Sequence, residues 1–514
     1  MRLIGSIKSN KIEILVVLLI FFSAAFLRFY NLEWEAISWN EGTLLGGSKE
    51  YVKGNFLYNF NDFAAPPLLK YLGAVELYFF GFSEFFLRSI GVIFGLGTVI
   101  LTYLIARKYY SRKTAIFAMV VVAFSMIHIN FSRTFLTEPV LAFFFTASFY
   151  AYVNLLKGDK NRRGILILGV CLAFALLSKW IGLNLIIVII IHALYTKLIR
   201  VHVKKKFSFE IEGWLFKALI VFIIVFFLVW PMALYPIKLD VDVKVVGMED
   251  RGDSFVLGVP TILLSPQEYL TVALGRQEKV AEPSILPVMQ IPFIGYVILM
   301  FSKESLLFAA LFLLGLFAIY KKRKSMDNDI LIFIGVFLFI LWLQKYGQTY
   351  RYLTVIMPLI ALVTARSLDL IKNPRSFFVL GIIFSLVLFS TAALVHPYYN
   401  LHYNSIGDFF GFKQLKYDQE IANTDGLMEA IDYVKANCTK VTGSLAGTII
   451  NYVENYSDII VNEPKIGDVP ICFYTQPGLE SSVRILESNL SIKCDIVKEI
   501  QRSGIKLRSI YSCE

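Results

Sequence analysis

The stretch from Gly381 to Val395 reads GIIFSLVLFSTAALV, fifteen positions without a charge and without polar and apolar residues alternating at every second place. A strand of a membrane barrel alternates with a period of two, whereas this run is apolar on every face, as a helix surrounded by lipid must be. Runs of the same kind recur along the chain, so that 57% of the 514 residues are hydrophobic, 15% aromatic and only 17% charged. Such a composition belongs to an all-α polytopic membrane protein.

The run from Ile12 to Phe26 follows Arg2, Lys8 and Lys11, in the manner of a signal peptide, but lacks a small-residue cleavage site and reads as a first spanning helix. Ten further spans are expected at 86–106, 114–130, 137–156, 164–179, 181–198, 213–233, 304–320, 328–344, 351–370 and 376–395. The formal charge of +11 does not indicate nucleic acid, because the cations collect in short turns between apolar runs. These turns hold Arg107, Lys108, Arg112 and Lys113, then Lys157, Lys160, Arg162 and Arg163, then Lys197, Arg200 and Lys204 to Lys206, then Lys321 to Lys324. With a cytoplasmic N-terminus every one of them is cytoplasmic, as the positive-inside rule requires. The expected location is a cell membrane.

Two long loops, 29–85 and 234–303, and the C-terminal stretch then face outward. Apolar pieces within the loops that are too short to span, such as IPFIGYVILMF, would lie along the membrane surface. The chain divides into a membrane domain, 1–406, and a small external α/β domain, 407–514, with a helix-like TDGLMEAIDYVKAN and strand-like SDIIVN and VPICFYT. That second domain holds Cys438, Cys472, Cys494 and Cys513, which an oxidising exterior would pair in any of three ways or leave as free thiols. Its Asn-x-Ser/Thr triplets at Asn437, Asn455 and Asn489 are too common by chance to carry weight.

Ionisable groups at helix mouths on the outer side are costly unless solvated or paired, which makes them site candidates. They are Glu41, Lys70, Arg133, Glu138, Lys179 and Arg351. Each has a plain alternative: Glu138 before Pro139 as a first-turn acid, Arg351 and Lys179 reaching to headgroups, Lys70 and Glu41 as solvated loop residues. Together they suit one chemistry. The cations would neutralise a lipid-linked phosphate and stabilise it as a leaving group, while an acid accepts the proton of an incoming hydroxyl. Outside the cell, where nucleotide sugars are not expected, a polyprenyl-phosphate sugar is the practical donor.

The order of motifs resembles the protein O-mannosyltransferases of prokaryotic type, and with them the aminoarabinose transferases, within the membrane-embedded GT-C glycosyltransferases. Asn40 and Glu41 stand where that family has Asp-Glu. The sequence from Ala65 through Pro66, Pro67, Leu68 and Leu69 to Lys70 is similar to its His-Pro-Pro-Leu-x-Lys. Ser132, Arg133 and Glu138 resemble its Ser-Arg-x-x-x-x-Asp, and its Ser-x-Lys-Trp-x-Gly-Leu tends towards Ser178, Lys179, Trp180, Gly182 and Leu183. The resemblance covers about the first 200 residues, and the region from Arg351 onward loosely. It implies a GT-C fold with about eleven spans and transfer of a sugar, mannose by analogy, from a polyprenyl or dolichyl phosphate. The acceptor would be a hydroxyl of a protein, glycan or glycolipid, with inversion at the sugar.

Two departures stand out: the leading Asp is Asn40, and the His before the prolines is Ala65. An amide cannot act as a base. The expected roles are therefore Glu41 as base, Asn40 as a hydrogen-bonding neighbour and Glu138 orienting the acceptor or serving as base instead. Arg133, Lys70, Lys179 and Arg351 are expected to bind the donor phosphate.

The five histidines show no metal-ligand spacing, and no structural metal is expected. A divalent cation, Mg or Mn, between Glu41 and Glu138 is the alternative. GVIFGLGTVI lies within a span, and its Gly91 and Gly95 are expected to permit close helix packing rather than to bind phosphate. The rival reading is a transporter or flipping accessory that binds the lipid phosphate without breaking a bond, which Asn40 favours. A scaffold acting through its C-terminal domain is a third.

Overall fold

The computed structural model describes residues 2–33, 37–55, 66–204, 213–231, 236–241, 255–260, 294–343, 350–397, 399, 402–409, 441–443, 471–475, 493–502 and 505–513. Within them the chain is mostly helical: α1 Arg2–Phe29, α2 Trp39–Val52, α3 Leu68–Phe80, α4 Glu84–Tyr109, α5 Arg112–Ala123, α6 Met126–Ser132, α7 Thr137–Leu156 and α8 Arg162–Ser178. There follow α9 Gly182–Lys204, α10 Gly213–Val229, α11 Ile294–Lys303, α12 Leu306–Lys321, α13 Ser325–Leu343, α14 Leu353–Ala365, α15 Pro374–Val395 and the short α16 Ser405–Phe409. Side chains just ahead of the helices fix many starts. Ser38, Ser83, Ser111, Ser125, Asn161, Ser305 and Asn373 each accept from a first-turn N–H that has no partner within its helix.

Among the described residues, six helical segments are long and apolar enough to cross a membrane, or seven if a bent pair counts as one. The protein is a multi-pass membrane protein. Four further apolar helices, Gly182–Thr196, Gly213–Val229, Ile294–Lys303 and Leu306–Lys321, are shorter than that test requires. The span expected at 114–130 needs correction: it is two helices, α5 and α6, bent by 58° at Phe124 and Ser125. Ser125 adopts an extended conformation and its hydroxyl accepts from His128 N–H, which starts a new helix where a continuous one was expected. The loop 29–85 is likewise not irregular throughout, since α2 and α3 lie within it.

The core is built around α14, every residue of which is buried. Helices α1 and α15 are peripheral: in an 18-residue apolar stretch of each only 22% and 11% of the residues are buried, and the rest present apolar surface outward, as lipid-facing helices do. Gly91 and Gly95 of α4 take the role expected of them. A Cβ on Gly91 would lie 2.4 Å from the Thr134 carbonyl oxygen and one on Gly95 2.3 Å from Ser132 Oγ, so these glycines let the 132–134 segment lie against α4.

Ion pairs also close the ends of helices near the basic turns. The Arg366 guanidinium engages Asp327 and Asp369, and Tyr110 donates to Asp327 at 2.6 Å. Away from the helices, β1 Pro236–Val241 and β2 Phe255–Pro260 pair antiparallel. A four-stranded sheet runs β3 Val441–Gly443, β4 Ile471–Thr475, β6 Ile505–Cys513 and β5 Cys494–Arg502 in spatial order, with β3 and β4 parallel and the other pairs antiparallel. β4 falls in the strand-like VPICFYT. The expected helix TDGLMEAIDYVKAN, the expected strand SDIIVN, Cys438 and Ala65 lie outside the described residues. Cys494 is disulfide-bonded, and Cys171 is a buried free thiol.

Candidate active site

The local sequence Ser38-Trp39-Asn40-Glu41 opens α2 as a capping box. Glu41 N–H donates to Ser38 Oγ at 3.3 Å and Ser38 N–H donates to Glu41 Oε2 at 2.9 Å. Glu41 is also the partner of a buried arginine: Arg88 Nε lies 3.0 Å from its Oε1 and Arg88 Nη2 3.2 Å from its Oε2. Phe135 N–H adds a third direction, donating to Oε1 at 2.8 Å. Burial alone would push this carboxyl up, but Arg88 and the two backbone donors outweigh it and hold it below the ordinary carboxylate value. With both oxygens engaged by Arg88 and by two backbone N–H groups, Glu41 is poorly suited to accept a proton from a substrate. Its geometry favours a positioning role, that of joining α2 to α4 and to the chain ahead of α7. Asn40, in the first turn of α2, is half-buried.

Arg133 stands at the C-terminal end of α6, and there too the geometry departs from expectation. Its Nη1 donates to the carbonyls of Leu27, Arg28 and Tyr30 at 3.1, 3.0 and 2.8 Å, and its Nη2 to Asn31 at 2.7 Å. Leu27 and Arg28 lie in the last turn of α1, whose carbonyls lack helical partners, and Tyr30 and Asn31 follow it, so the guanidinium acts as the cap of that helix. A guanidinium fixed on four carbonyls is a weaker phosphate candidate than the sequence alone suggested. Lys70 is fully buried in the first turn of α3, its stem lying where a Cβ on Gly47 would come within 2.7 Å. Thus Gly47 lets α2 approach the lysine.

The other three candidates converge. Glu138, in the first turn of α7, has its Oε1 2.5 Å from Lys179 Nζ and 3.9 Å from Arg351 Nε. Lys179 ends α8 in an extended conformation, where Lys-Trp-x-Gly breaks the helix before α9. Arg351 lies in the 3-10 turn Tyr350–Tyr352 that leads into α14. Tyr352 is the common floor: Lys179 Nζ is 5.2 Å and the Arg351 guanidinium 5.1 Å from its ring centre, and Arg351 Nη2 lies 3.1 Å from its hydroxyl. Glu138 is buried, whereas Lys179 and Arg351 each keep 17% of their side-chain surface open. One carboxylate and two partly exposed cations leave a net positive charge, a fit for an anionic group.

The divalent cation considered between Glu41 and Glu138 does not suit this donor set. It would have to displace Arg88 from one carboxylate and Lys179 from the other, and no group of three His, Cys, Asp or Glu side chains occurs among the described residues.

Sequence reasoning missed Arg88, Tyr352, Lys303 and Glu304. A signal existed for Arg88, a charge within an apolar run, and for Glu41's structural role, in the Ser-x-x-Glu spacing of its capping box. Tyr352 carried none.

Residues 18–240 match the family described as dolichyl-phosphate-mannose-protein mannosyltransferase, and this interval contains every motif from Asn40 to Leu183 on which the resemblance rested. An uncharacterized protein of Aquifex aeolicus is 31% identical over 152 residues, 28% of this chain and 30% of its own length. Dolichyl-phosphate-mannose--protein mannosyltransferase 1 of Candida albicans is 31% identical over 185 residues, 31% of this chain and 20% of that protein. The chain thus spans a third or less of the length of these curated relatives.

Among solved structures, ArnT from Cupriavidus metallidurans in the apo state aligns with 99% of this chain and 98% of its own, at a TM-score of 0.55 and 13% identity. The same protein bound to undecaprenyl phosphate aligns over 98% of both chains, at 0.53 and 12%. The fold is therefore ArnT-like, and the resemblance to the O-mannosyltransferases is carried by residues 18–240.

Proposed function

We propose that this protein is an inverting membrane glycosyltransferase that moves a sugar from a polyprenyl or dolichyl phosphate to an acceptor hydroxyl on the outer membrane face. The observation that carries the reading is the convergence of Glu138, Lys179 and Arg351 over Tyr352, a carboxylate and two partly open cations drawn from three separate elements. The family match to residues 18–240 and the ArnT-like fold support it. So does the undecaprenyl phosphate carried by one ArnT structure.

A polyprenyl-phosphate sugar is a phosphodiester with one negative charge, which balances the net charge of the three side chains. On arrival the phosphate takes Lys179 and Arg351 as partners, and both cations loosen from Glu138. The acceptor oxygen then attacks the anomeric carbon from the face opposite the phosphate. The bond from that carbon to the phosphate oxygen breaks, the electron pair leaves with polyprenyl phosphate, and the acceptor proton passes to the Glu138 carboxylate. Glu138 is the preferred base because Glu41 is held by Arg88. Mannose is the preferred sugar by family analogy, and a protein hydroxyl, a glycan and a glycolipid are the acceptors to try.

The proposed topology has a cytoplasmic N-terminus, about eleven crossings with the shorter helices included, and residues 407–514 as an external α/β domain. The transporter reading draws on Asn40, which leaves the first loop without the expected leading acid.

Purified protein in lipid, offered radiolabelled polyprenyl-phosphate sugars and an extract of its own membranes and proteins, separates the two. Acceptor-dependent release of polyprenyl phosphate that disappears in Glu138→Gln supports transfer. Donor binding without release from any donor would replace it with the transporter reading.

A further inference from the structure

The second external loop ends in two charged residues, Lys303 and Glu304, which are buried with only 2% and 1% of their surface exposed. Glu304 directly follows α11. Its carboxylate accepts from Ser125 Oγ at 2.5 Å and from the backbone N–H groups of Met126 and Ile127 at 3.1 Å each. Those N–H groups open α6 and have no partner within it. Across the break, Arg28 Nη1 donates to the Ala123 carbonyl at 2.9 Å, in the last turn of α5. A cation therefore sits at the carbonyl end of one helix and an anion at the amide end of the next, each matching the local dipole. The 58° bend is held from both sides.

Lys303 does a parallel job one residue earlier. Its Nζ lies 3.6 Å from the ring centre of Tyr403 and 4.4 Å from that of Tyr350, which directly precedes Arg351. Tyr350 in turn meets α6: its ring centre is 5.4 Å from that of Phe131, and Asn130 Nδ2 donates to its hydroxyl at 3.5 Å. The place of the two charged residues is set by the segment after α15. Asn404 Nδ2 donates to the carbonyls of Phe301 and Glu304 at 2.5 and 2.6 Å, and its backbone N–H to Ser302 at 3.0 Å.

We propose that Lys303 and Glu304 are positioning residues for transfer: Glu304 fixes α6 and through it the approach to Glu138, and Lys303 fixes the turn that carries Arg351. The inference rests on reading Glu138 as the base and Arg351 as a phosphate ligand. Neither Lys303 nor Glu304 touches substrate in this arrangement.

Two kinetic signatures separate the pair. Glu304→Gln keeps the size of the side chain but puts an amide NH2 where one carboxylate oxygen accepted, so that at least one of the three donors loses its acceptor, and it lowers kcat at least tenfold with the donor KM within threefold of wild type. Lys303→Met removes the cation between the tyrosines and raises the donor KM at least fivefold with kcat within threefold, whereas Lys303→Arg stays within threefold on both. If both variants merely reduce the amount of folded protein, with kcat and KM per folded molecule at wild-type values, the proposal is overturned.

Hydrogen exchange at Met126 and Ile127 reads the clamp without turnover. It speeds up in Glu304→Gln and not in Lys303→Met, and unchanged exchange in Glu304→Gln overturns the inference whether or not any donor is consumed. Faster exchange in Glu304→Gln, together with a wild-type protein that transfers no sugar, would sink the functional reading alone.

Discussion

Glu138 and Lys179 form a largely buried ion pair, Oε1 to Nζ 2.5 Å, that ties the first turn of α7 to the residue ending α8. Such a pair resists removal of one partner more than it adds to stability, because a single charge would be left buried and unpaired. Lys179→Met is therefore expected to cost about 3 kcal/mol even though Arg351 stays nearby, while the double variant Glu138→Gln/Lys179→Met recovers most of that loss. Thermal unfolding in lipid, compared across the cycle of single and double variants, checks it.

Glu138→Gln alone is expected to lower transfer at least a hundredfold while donor binding stays at wild type or tightens, since the cations lose their internal competitor. Equilibrium binding of polyprenyl phosphate alongside single-turnover transfer measures both. Weaker binding with an unchanged rate constant would exclude Glu138 as the base.

The Glu41 carboxylate is expected to matter for folding more than for chemistry. Because its folded-state acidity is strengthened by Arg88, its contribution to stability is present above about pH 4.3, the ordinary glutamate value, and is lost as pH falls through the lower folded value. Stability of the wild type should then drop more steeply below about pH 5 than that of Glu41→Gln, and the activity per folded molecule of that variant should lie within threefold of wild type. A loss of activity in fully folded Glu41→Gln would return the base role to Glu41.

Asn40→Asp tests the first loop directly. The change adds an acid in the first turn of α2, where the helix dipole tolerates it, and with Glu138 as base the rate should change less than threefold. A rise of tenfold or more would move the base to position 40.

Glu76 is 7% exposed on α3, and neither of its carboxylate oxygens has a hydrogen-bond partner. Burial pushes its carboxyl up to about 7. Between the ordinary value near 4.3 and pH 7 the folded state holds a proton that the unfolded chain has released, so stability falls as pH rises through this window. Glu76→Gln should be neutral at pH 4 and stabilising, on the order of 2 kcal/mol, at pH 8, as read by thermal unfolding at the two values.

Much of this protein was legible as a one-dimensional pattern. The length of an apolar run and the charge of its flanking turns are local properties, and they were enough to mark the helices that became α4, α7, α13 and α15. Gly91 and Gly95 could be read as packing positions because small residues inside a span have few other uses. The Lys-Trp-x-Gly stretch marked a helix end, and Glu138, Lys179 and Arg351 were recognised as site candidates by cost alone, as charges at the mouths of apolar helices.

What the linear sequence left open was how the charges pair, and only the tertiary structure decided that. Glu41 meets Arg88 at a separation of 47 residues, and Glu304 meets Ser125 at 179. An ion pair in a membrane protein depends on which helix ends are brought together, and that follows from the packing of α4, α6, α7 and α14 as whole bodies. The bend at Ser125 has the same origin: its cap is local, but Arg28 and Glu304, which satisfy the two broken ends, come from distant parts of the chain. Sequence therefore determined that a carboxylate and several cations would gather at one kind of place. Packing decided that Glu41 would pair with Arg88 and Arg133 with the end of α1, while Glu138 would meet Lys179 and Arg351.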